Sequence, residues 1–173
     1  MREDPNRWLH RCRMDQNPIR SDAFTIGGDW IDVNGHMSVV HYPVLFETLS
    51  IPLFEWLGFT SEAIRTTNKS LFTLETHARY LRELNVGDQV YSDIHYLEHD
   101  HSKFVYAQEL RHVDGWLSAT FEALTVHVDL TARKSAAFPE ATLALLNELA
   151  RQAEDRPRPE YFCCAVGLRK RRQ

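Results

Sequence analysis

Between Val39 and Phe59 the chain reads "VVHYPVLFETLSIPLFEWLGF". Tyr42, Leu45, Phe46, Leu49, Leu53, Trp56 and Leu57 recur at three- and four-residue spacing, the apolar stripe of a helix with one buried face. From Ser70 to Leu130 the period changes to two. "SLFTLETHARYL" places Phe72, Leu74, Thr76, Ala78 and Tyr80 on one face, and "QVYSDIHYLEH" does the same for Val90, Ser92, Ile94 and Tyr96. "KFVYAQELRHV" aligns Phe104, Tyr106, Gln108 and Leu110, and "WLSATFEALTVHVDL" aligns Leu117, Ala119, Phe121 and Ala123. "NVGDQ", "HDHSK" and "VDGW" separate these stretches, the last with an Asp-Gly pair suited to a tight hairpin. A run of antiparallel strands has an apolar face to cover, and this chain offers one long apolar helix to cover it. The pattern predicts an α+β fold: a curved antiparallel sheet wrapped around one long central helix, with a C-terminal helix.

Local signals refine that frame. Ser38 is placed to cap the central helix, and Pro43 fits its first turn, where a missing N–H costs little. Pro52 is expected to kink the helix or split off its last turn. Gly58 suits the left-handed position after it. "SEAIRTT" reads as a short second helix capped by Ser61, "AFTI" as a first strand stopped by Gly27-Gly28, and "TLALLNELARQ" as a final amphipathic helix after Pro139. Of 173 residues, 1–20 read as an extension containing Pro5 and Pro18, 21–153 as one domain, and 154–173 as a tail. Long edge strands need cover or pairing, which favours a homodimer with joined sheets.

The net charge of −4 supplies no basic surface for nucleic acid. The run Arg169 to Arg172 reads as a solvated tail. Cysteine is confined to Cys12, Cys163 and Cys164, with no metal-binding spacing, which points to a reducing, cytoplasmic setting. The polar first 22 residues hold no apolar signal segment, and no later stretch is apolar for long enough to span a membrane. His95, His99 and His101 cluster near a hairpin tip, but no fourth ligand is implied, so no metal is expected.

Immediately before the helix lies "DWIDVNGHMSVVHYP". Read from its residues alone, Asp32 is either the carboxylate of an Asx-turn or a base aimed at a substrate. Asn34 is a turn residue that tolerates positive φ, or a group that orients water. Gly35 permits a tight turn and close approach of a ligand. His36 fixes the loop or assists the chemistry. His41 belongs to the first helical turn.

Those residues, Asp32, Asn34, Gly35, His36 and Met37, followed by Tyr42, Phe46 and Glu47, resemble the opening motif of the hotdog-fold thioesterases of the 4-hydroxybenzoyl-CoA thioesterase type. The resemblance covers about Phe24 to Pro139. "ETHARYLRELNVGDQV", "LTVHVDL", "RKSAAFPE" and "RPRPEY" make the chain most similar to the betainyl-CoA thioesterases of bacterial carnitine breakdown. The family usually has Asn where this chain has Ser38.

The resemblance implies hydrolysis of a small acyl-CoA thioester without a cofactor, by a homodimer or a dimer of dimers. It implies Asp32, Asn34 and His36 as catalytic groups, with Gly35, Met37, Ser38, Tyr42 and Glu47 at the substrate. Asp32 would act as general base or as nucleophile, and the amides of residues 37–39 would hold the developing oxyanion. Glu47 is open to a structural reading or to a place in the partner subunit's site. A trimethylammonium group would favour aromatic faces, for which Trp30, Tyr42, Phe46, Trp56 and Phe72 are candidates, each also suited to a core. Two other functions remain open. A hotdog hydratase or dehydratase usually places four residues between Asp and His, against three here. A non-catalytic acyl-CoA-binding module would keep the fold without turnover.

Overall fold

The computed structural model describes residues 18–154, 156, 158–162 and 165–168. Pro5, Cys12, Cys163, Cys164 and the basic run Arg169 to Arg172 lie outside the described residues, as does Pro157 of "RPRPEY". Two short strands come first, β1 (Ile19–Arg20) and β2 (Phe24–Thr25), followed by the helices α1 (His41–Trp56) and α2 (Ser61–Thr67). Four long strands follow: β3 (Lys69–Tyr80), β4 (Gln89–His99), β5 (Lys103–His112) and β6 (Leu117–Asp129). The short β7 (Lys134–Ser135) and the helix α3 (Glu140–Ala153) complete the described elements.

The strands form one antiparallel sheet in the order β1-β4-β5-β6-β3, with β2 also on β4 and β7 on β6. Leu45, Phe46, Leu49 and Leu53 of α1 are at most 1% exposed and pack against the inner face of the sheet. The Phe46 and Phe121 rings stack with centroids 4.8 Å apart. Gln108, fully buried, donates to the Phe46 carbonyl and accepts from the Ser92 hydroxyl, so a satisfied polar pair ties helix to sheet. Thr142 of α3 donates to the Leu57 carbonyl at the end of α1. This is the helix-in-sheet hotdog arrangement that the resemblance implied.

Several local expectations shift. Ser38 is not the cap of α1: Val40 occupies that position without a side-chain bond, because a turn closed by His41 N–H to the Ser38 carbonyl delays the helix. The cap of α2 is Thr60, one residue before Ser61, and its hydroxyl accepts from Ala63 N–H at 3.1 Å. The helix runs through Pro52 to Trp56, and Gly58 follows with φ +97°. Strand β1 enters the sheet two residues before the expected start of the domain.

The largest shift is in β3. A bulge between Thr73 and Glu75 adds one residue, and a one-residue slip exchanges the two faces. Thr76, Ala78 and Tyr80 keep the side opposite Ala123, Phe121 and Ala119, whereas Phe72 and Leu74 are each 52% exposed.

The outer face of the sheet is ionic. Arg20 grips Asp93 through two bonds of 2.7 and 2.8 Å, and Glu109 meets His95 at 3.2 Å and Arg111 at 2.9 Å. Part of the expected tail covers this face: Val166 packs with Val105 and Leu124, and the Phe162 ring lies 5.2 Å from that of His95. Central strands that would show one face to water are therefore buried on both.

Candidate active site

The polar motif folds as a three-residue hairpin. Ile31 bridges Met37, Asp32 N–H donates to the His36 carbonyl at 2.9 Å, and Gly35 N–H closes the turn on the Asp32 carbonyl at 3.0 Å. Gly35 takes φ +83°, the left-handed conformation that this loop length places at its last residue. Asp32 Oδ1 accepts the Asn34 N–H at 2.8 Å, an Asx-turn, while Oδ2 stands 3.5 Å from the Asn34 amide nitrogen. The Asx-turn reading is thus correct as geometry. It occupies one carboxylate oxygen well and leaves an exposed side chain with no ion pair among the described residues.

The hairpin is anchored from below. Met37 is 5% exposed and its N–H donates to the Leu84 carbonyl, while Ser38 N–H donates to the Trp30 carbonyl. Trp30 lies between Phe24 and His41, with centroids 5.1 Å from each, so His41 has a packing role. Tyr42 is 4% exposed and meets Tyr80 edge-on, and burial pushes its phenol pKa up. His36 Nε2 lies 3.3 Å from Glu83.

The amides expected to face an oxyanion need revision. Those of Met37 and Ser38 are used within the fold, whereas those of Val39 and Val40 have no acceptor among the described residues. They stand at the start of α1, where the helix dipole favours negative charge.

Glu47 lies elsewhere. It is exposed and lines a groove of about 550 Å³ between α1, α2 and the β3 side of the sheet. The structure therefore divides the predicted residues. Asp32, Asn34, Gly35 and His36 share the hairpin, Met37 and Tyr42 support it, and Glu47 belongs to the groove. None of the first six lines the groove.

The aromatic candidates differ as well. Phe54, Phe59, Tyr106 and Phe121 line the groove, whereas Trp30, Tyr42, Phe46, Trp56 and Phe72 do not. Glu55 and Phe54 were not singled out from the sequence, although Glu47, Ile51 and Glu55 follow at four-residue spacing along one side of the helix. The three histidines also separate. A bulge between Tyr96 and Glu98 turns His99 to Tyr96, whose hydroxyl it meets at 2.6 Å, while His95 remains on the outer face with Glu109. His101 is exposed beside Asp100.

A family model described as the thioesterase-like superfamily matches residues 27–146. The chain is 30% identical over 145 residues to a betainyl-CoA thioesterase of Pseudomonas aeruginosa, covering 81% of this chain and 89% of that protein. It is 29% identical over 144 residues to an L-carnitine dehydrogenase/betainyl-CoA thioesterase of Agrobacterium fabrum, of which it spans only 29% while 83% of this chain is covered. A putative thioesterase of Pseudomonas putida superposes with a TM-score of 0.72 at 27% identity, over 90% of this chain and 99% of that one. A hypothetical protein of Staphylococcus aureus, solved in complex with CoA, superposes with a TM-score of 0.78 at 24% identity, over 86% of this chain and 94% of that one.

Proposed function

Because the chain belongs to the thioesterase-like superfamily, we infer that it is an acyl-CoA thioesterase, hydrolysing a small acyl-CoA thioester to the free acid and CoA. Betainyl-CoA is the first substrate to test, since relatives about 30% identical carry that activity in their names. The observation that carries the reading is the Asp32 carboxylate: exposed, oriented by Asn34, and in the hairpin that leads into the helix whose first amides are unused.

In the hydrolytic route, Asp32 takes a proton from water as the water oxygen bonds to the thioester carbon. The carbonyl oxygen becomes an oxyanion beside the amides of Val39 and Val40. Collapse breaks the C–S bond, and the proton on Asp32 passes to the departing thiolate. Direct attack by Asp32 would instead give a mixed anhydride that water cleaves, from the same carboxylate. Asn34 steers the water or the thioester oxygen, His36 bonds to the substrate, and Gly35 and Ser38 shape the approach. Met37 and Tyr42 hold the floor.

A second copy is part of the proposal. The 12-residue edge strand β3 exposes Phe72, Leu74 and Tyr80, an apolar edge suited to pairing with another sheet. Val33, fully exposed beside Asp32, and Val39, Val40 and Val44 at the start of α1 are further exposed apolar side chains. None of the described helices is long and apolar enough to cross a membrane, and the proposed setting is the cytoplasm.

The test is thiol release from a panel of short acyl-CoAs, including betainyl-CoA, by wild type and Asp32→Asn. Release that disappears in a folded Asp32→Asn variant supports the site, and unchanged release removes it. Turnover of an enoyl-CoA without thiol would replace hydrolysis with hydration, and saturable binding without any product would leave a binding module.

A further inference from the structure

We propose that Glu83 is a positioning residue of the hairpin site: it holds Nε2 of His36, so that Nδ1 is the nitrogen that meets the thioester. The inference rests on the thioesterase reading and deepens it by naming a residue from outside the motif. Glu83 belongs to the loop between β3 and β4. Its Oε1 lies 3.3 Å from His36 Nε2, the one polar contact of that ring among the described residues. Glu83 has no other ion pair among them. Arg82, the adjacent cation, is engaged elsewhere: its guanidinium lies over the Trp116 ring, 4.0 Å from the centroid.

Two surface side chains at this distance would ordinarily contribute little, because both must be ordered to meet. Here both backbones are fastened close to the contact. Leu81 and Arg82 N–H donate to the Ser118 carbonyl at 2.9 and 3.0 Å, and Ser118 Oγ donates to the Arg82 carbonyl at 2.8 Å. Leu84 is fully buried, and its carbonyl accepts the Met37 N–H at 2.7 Å. That bond joins the residue after Glu83 to the residue after His36. The His36 carbonyl accepts the Asp32 N–H, so the imidazole and the proposed base leave the hairpin at one paired position. Burial is the main reason the Tyr42 pKa is raised, and the Glu83 charge adds a smaller push in the same direction, which puts this carboxylate near the floor of the hairpin.

The pairing decides which ring nitrogen acts. A carboxylate only accepts, so Nε2 carries a proton and donates it to Glu83 as a hydrogen bond. In the neutral ring Nδ1 then keeps its lone pair and accepts from the attacking water; in the imidazolium it donates to the thioester. In either state Nε2 is occupied and Nδ1 is left for the reaction. Without Glu83 the ring can turn about its own axis and offer either nitrogen.

The experiment is a double-mutant cycle on the full-length protein, read as thiol release from the acyl-CoA of the panel that wild type hydrolyses fastest. Asn and Gln separate the two nitrogens, because the Asn amide reaches about as far along the side chain as Nδ1 and the Gln amide as far as Nε2. Glu83→Ala should lower kcat by about tenfold, less than the 10²- to 10⁴-fold of a group that itself transfers the proton. It should melt close to wild type, since an exposed pair adds little to stability. His36→Asn should keep more kcat than His36→Gln. In the His36→Asn background Glu83→Ala should change kcat by less than about twofold, because the nitrogen it held is gone. An equal loss in both backgrounds makes Glu83 act independently of His36; that overturns the inference and leaves the thioesterase reading intact. Wild-type kcat in Glu83→Ala does the same. His36→Asn no better than His36→Gln overturns the assignment of Nδ1. No thiol from any acyl-CoA ends the thioesterase reading, and the inference with it.

Discussion

Two hairpins in this molecule share one design. Val33, Asn34 and Gly35 link Asp32 to His36; Val113, Asp114 and Gly115 link His112 to Trp116. In each, a glycine N–H closes the turn, at 3.0 Å on Asp32 and 2.8 Å on His112, with φ of +83° and +92°. In each, the first side chain accepts the N–H two residues on: Asp32 Oδ1 from Asn34 at 2.8 Å, His112 Nδ1 from Asp114 at 3.1 Å. They differ in what surrounds them. The His112 ring stacks on Trp116 at 4.7 Å and faces Asp88 and Asp114, inside a sheet connection. Asp32 has no such partner and stands before α1. Asp32, Asn34 and Gly35 are thus explained by turn geometry, as are His112, Asp114 and Gly115. The case for chemistry at the first rests on an accessible carboxylate in the hairpin that leads into α1, not on the turn.

The strongest way to break this comparison is to remove charge without removing the turn. Asn at position 32 keeps an oxygen for the Asn34 N–H, so Asp32→Asn should melt within a few degrees of wild type. Loss of the base should lower kcat by about 10²- to 10⁴-fold. Asp114→Asn, the same chemical change in the loop of the other hairpin, should leave thiol release unchanged. Equal activity in both variants would reduce Asp32 to a turn residue.

Glu109 offers the opposite contrast, a carboxylate held by Arg111 and His95. Burial pushes its pKa up, but the His95 hydrogen bond and the Arg111 charge outweigh burial and bring it below the usual glutamate range. A carboxyl depressed in the folded state stabilises fully above its unfolded pKa and loses that contribution as pH falls through the folded value. The Glu109 contribution should therefore be level above about pH 5 and decline in acid. Asp100 and Asp129, also depressed, add to the decline, and His99, lowered by burial, begins it near pH 6.5. Glu109→Gln should cost about 1–3 kcal/mol at neutral pH by removing the carboxylate that His95 and Arg111 share, with Arg111 keeping Asp93 and the Gly115 carbonyl. It should also flatten part of the acid limb in melts from pH 7 to 3.5. Asp32→Asn trades activity for little stability; Glu109→Gln should do the reverse.

The same contrast separates what the sequence disclosed from what it withheld. The helix stripe from Tyr42 to Leu57 and the four alternating strands were legible because one period runs through each. The β3 bulge was not: one added residue exchanges faces and leaves no mark in composition, so Phe72 and Leu74 were assigned to the wrong side. The cover over the outer face also escaped notice, because the segment with Phe162 and Val166 has no period. In the candidate site the hairpin residues were readable as local chemistry. The groove was not, since Tyr106 and Phe121 reach it from distant strands. Only Glu55, two turns beyond Glu47, had a signal that helical spacing could have caught.

The smallest expected effect tests the likeness of the two hairpins rather than their difference. A Cβ added at Gly35 or at Gly115 meets nothing within 4 Å, so neither substitution by alanine creates a clash. What remains is the cost of holding an L-residue at positive φ, about 1–2 kcal/mol at each site. In a protein of this length that is about 2–8 °C in Tm. Gly35→Ala and Gly115→Ala should therefore melt within about 2 °C of each other, both below wild type. Their activities should not match. A turn that relaxes at 35 moves the Asp32 carboxylate against α1, and a misplacement of about 1 Å can cost on the order of 10²-fold in rate. A turn that relaxes at 115 moves no group placed at the thioester. Equal loss of stability with turnover lost only in Gly35→Ala would show one backbone device serving structure at one end of the chain and chemistry at the other. Equal turnover in both would mean that the position of Asp32 is immaterial, and the proposed base would have to be sought in the groove, at Glu47 or Glu55.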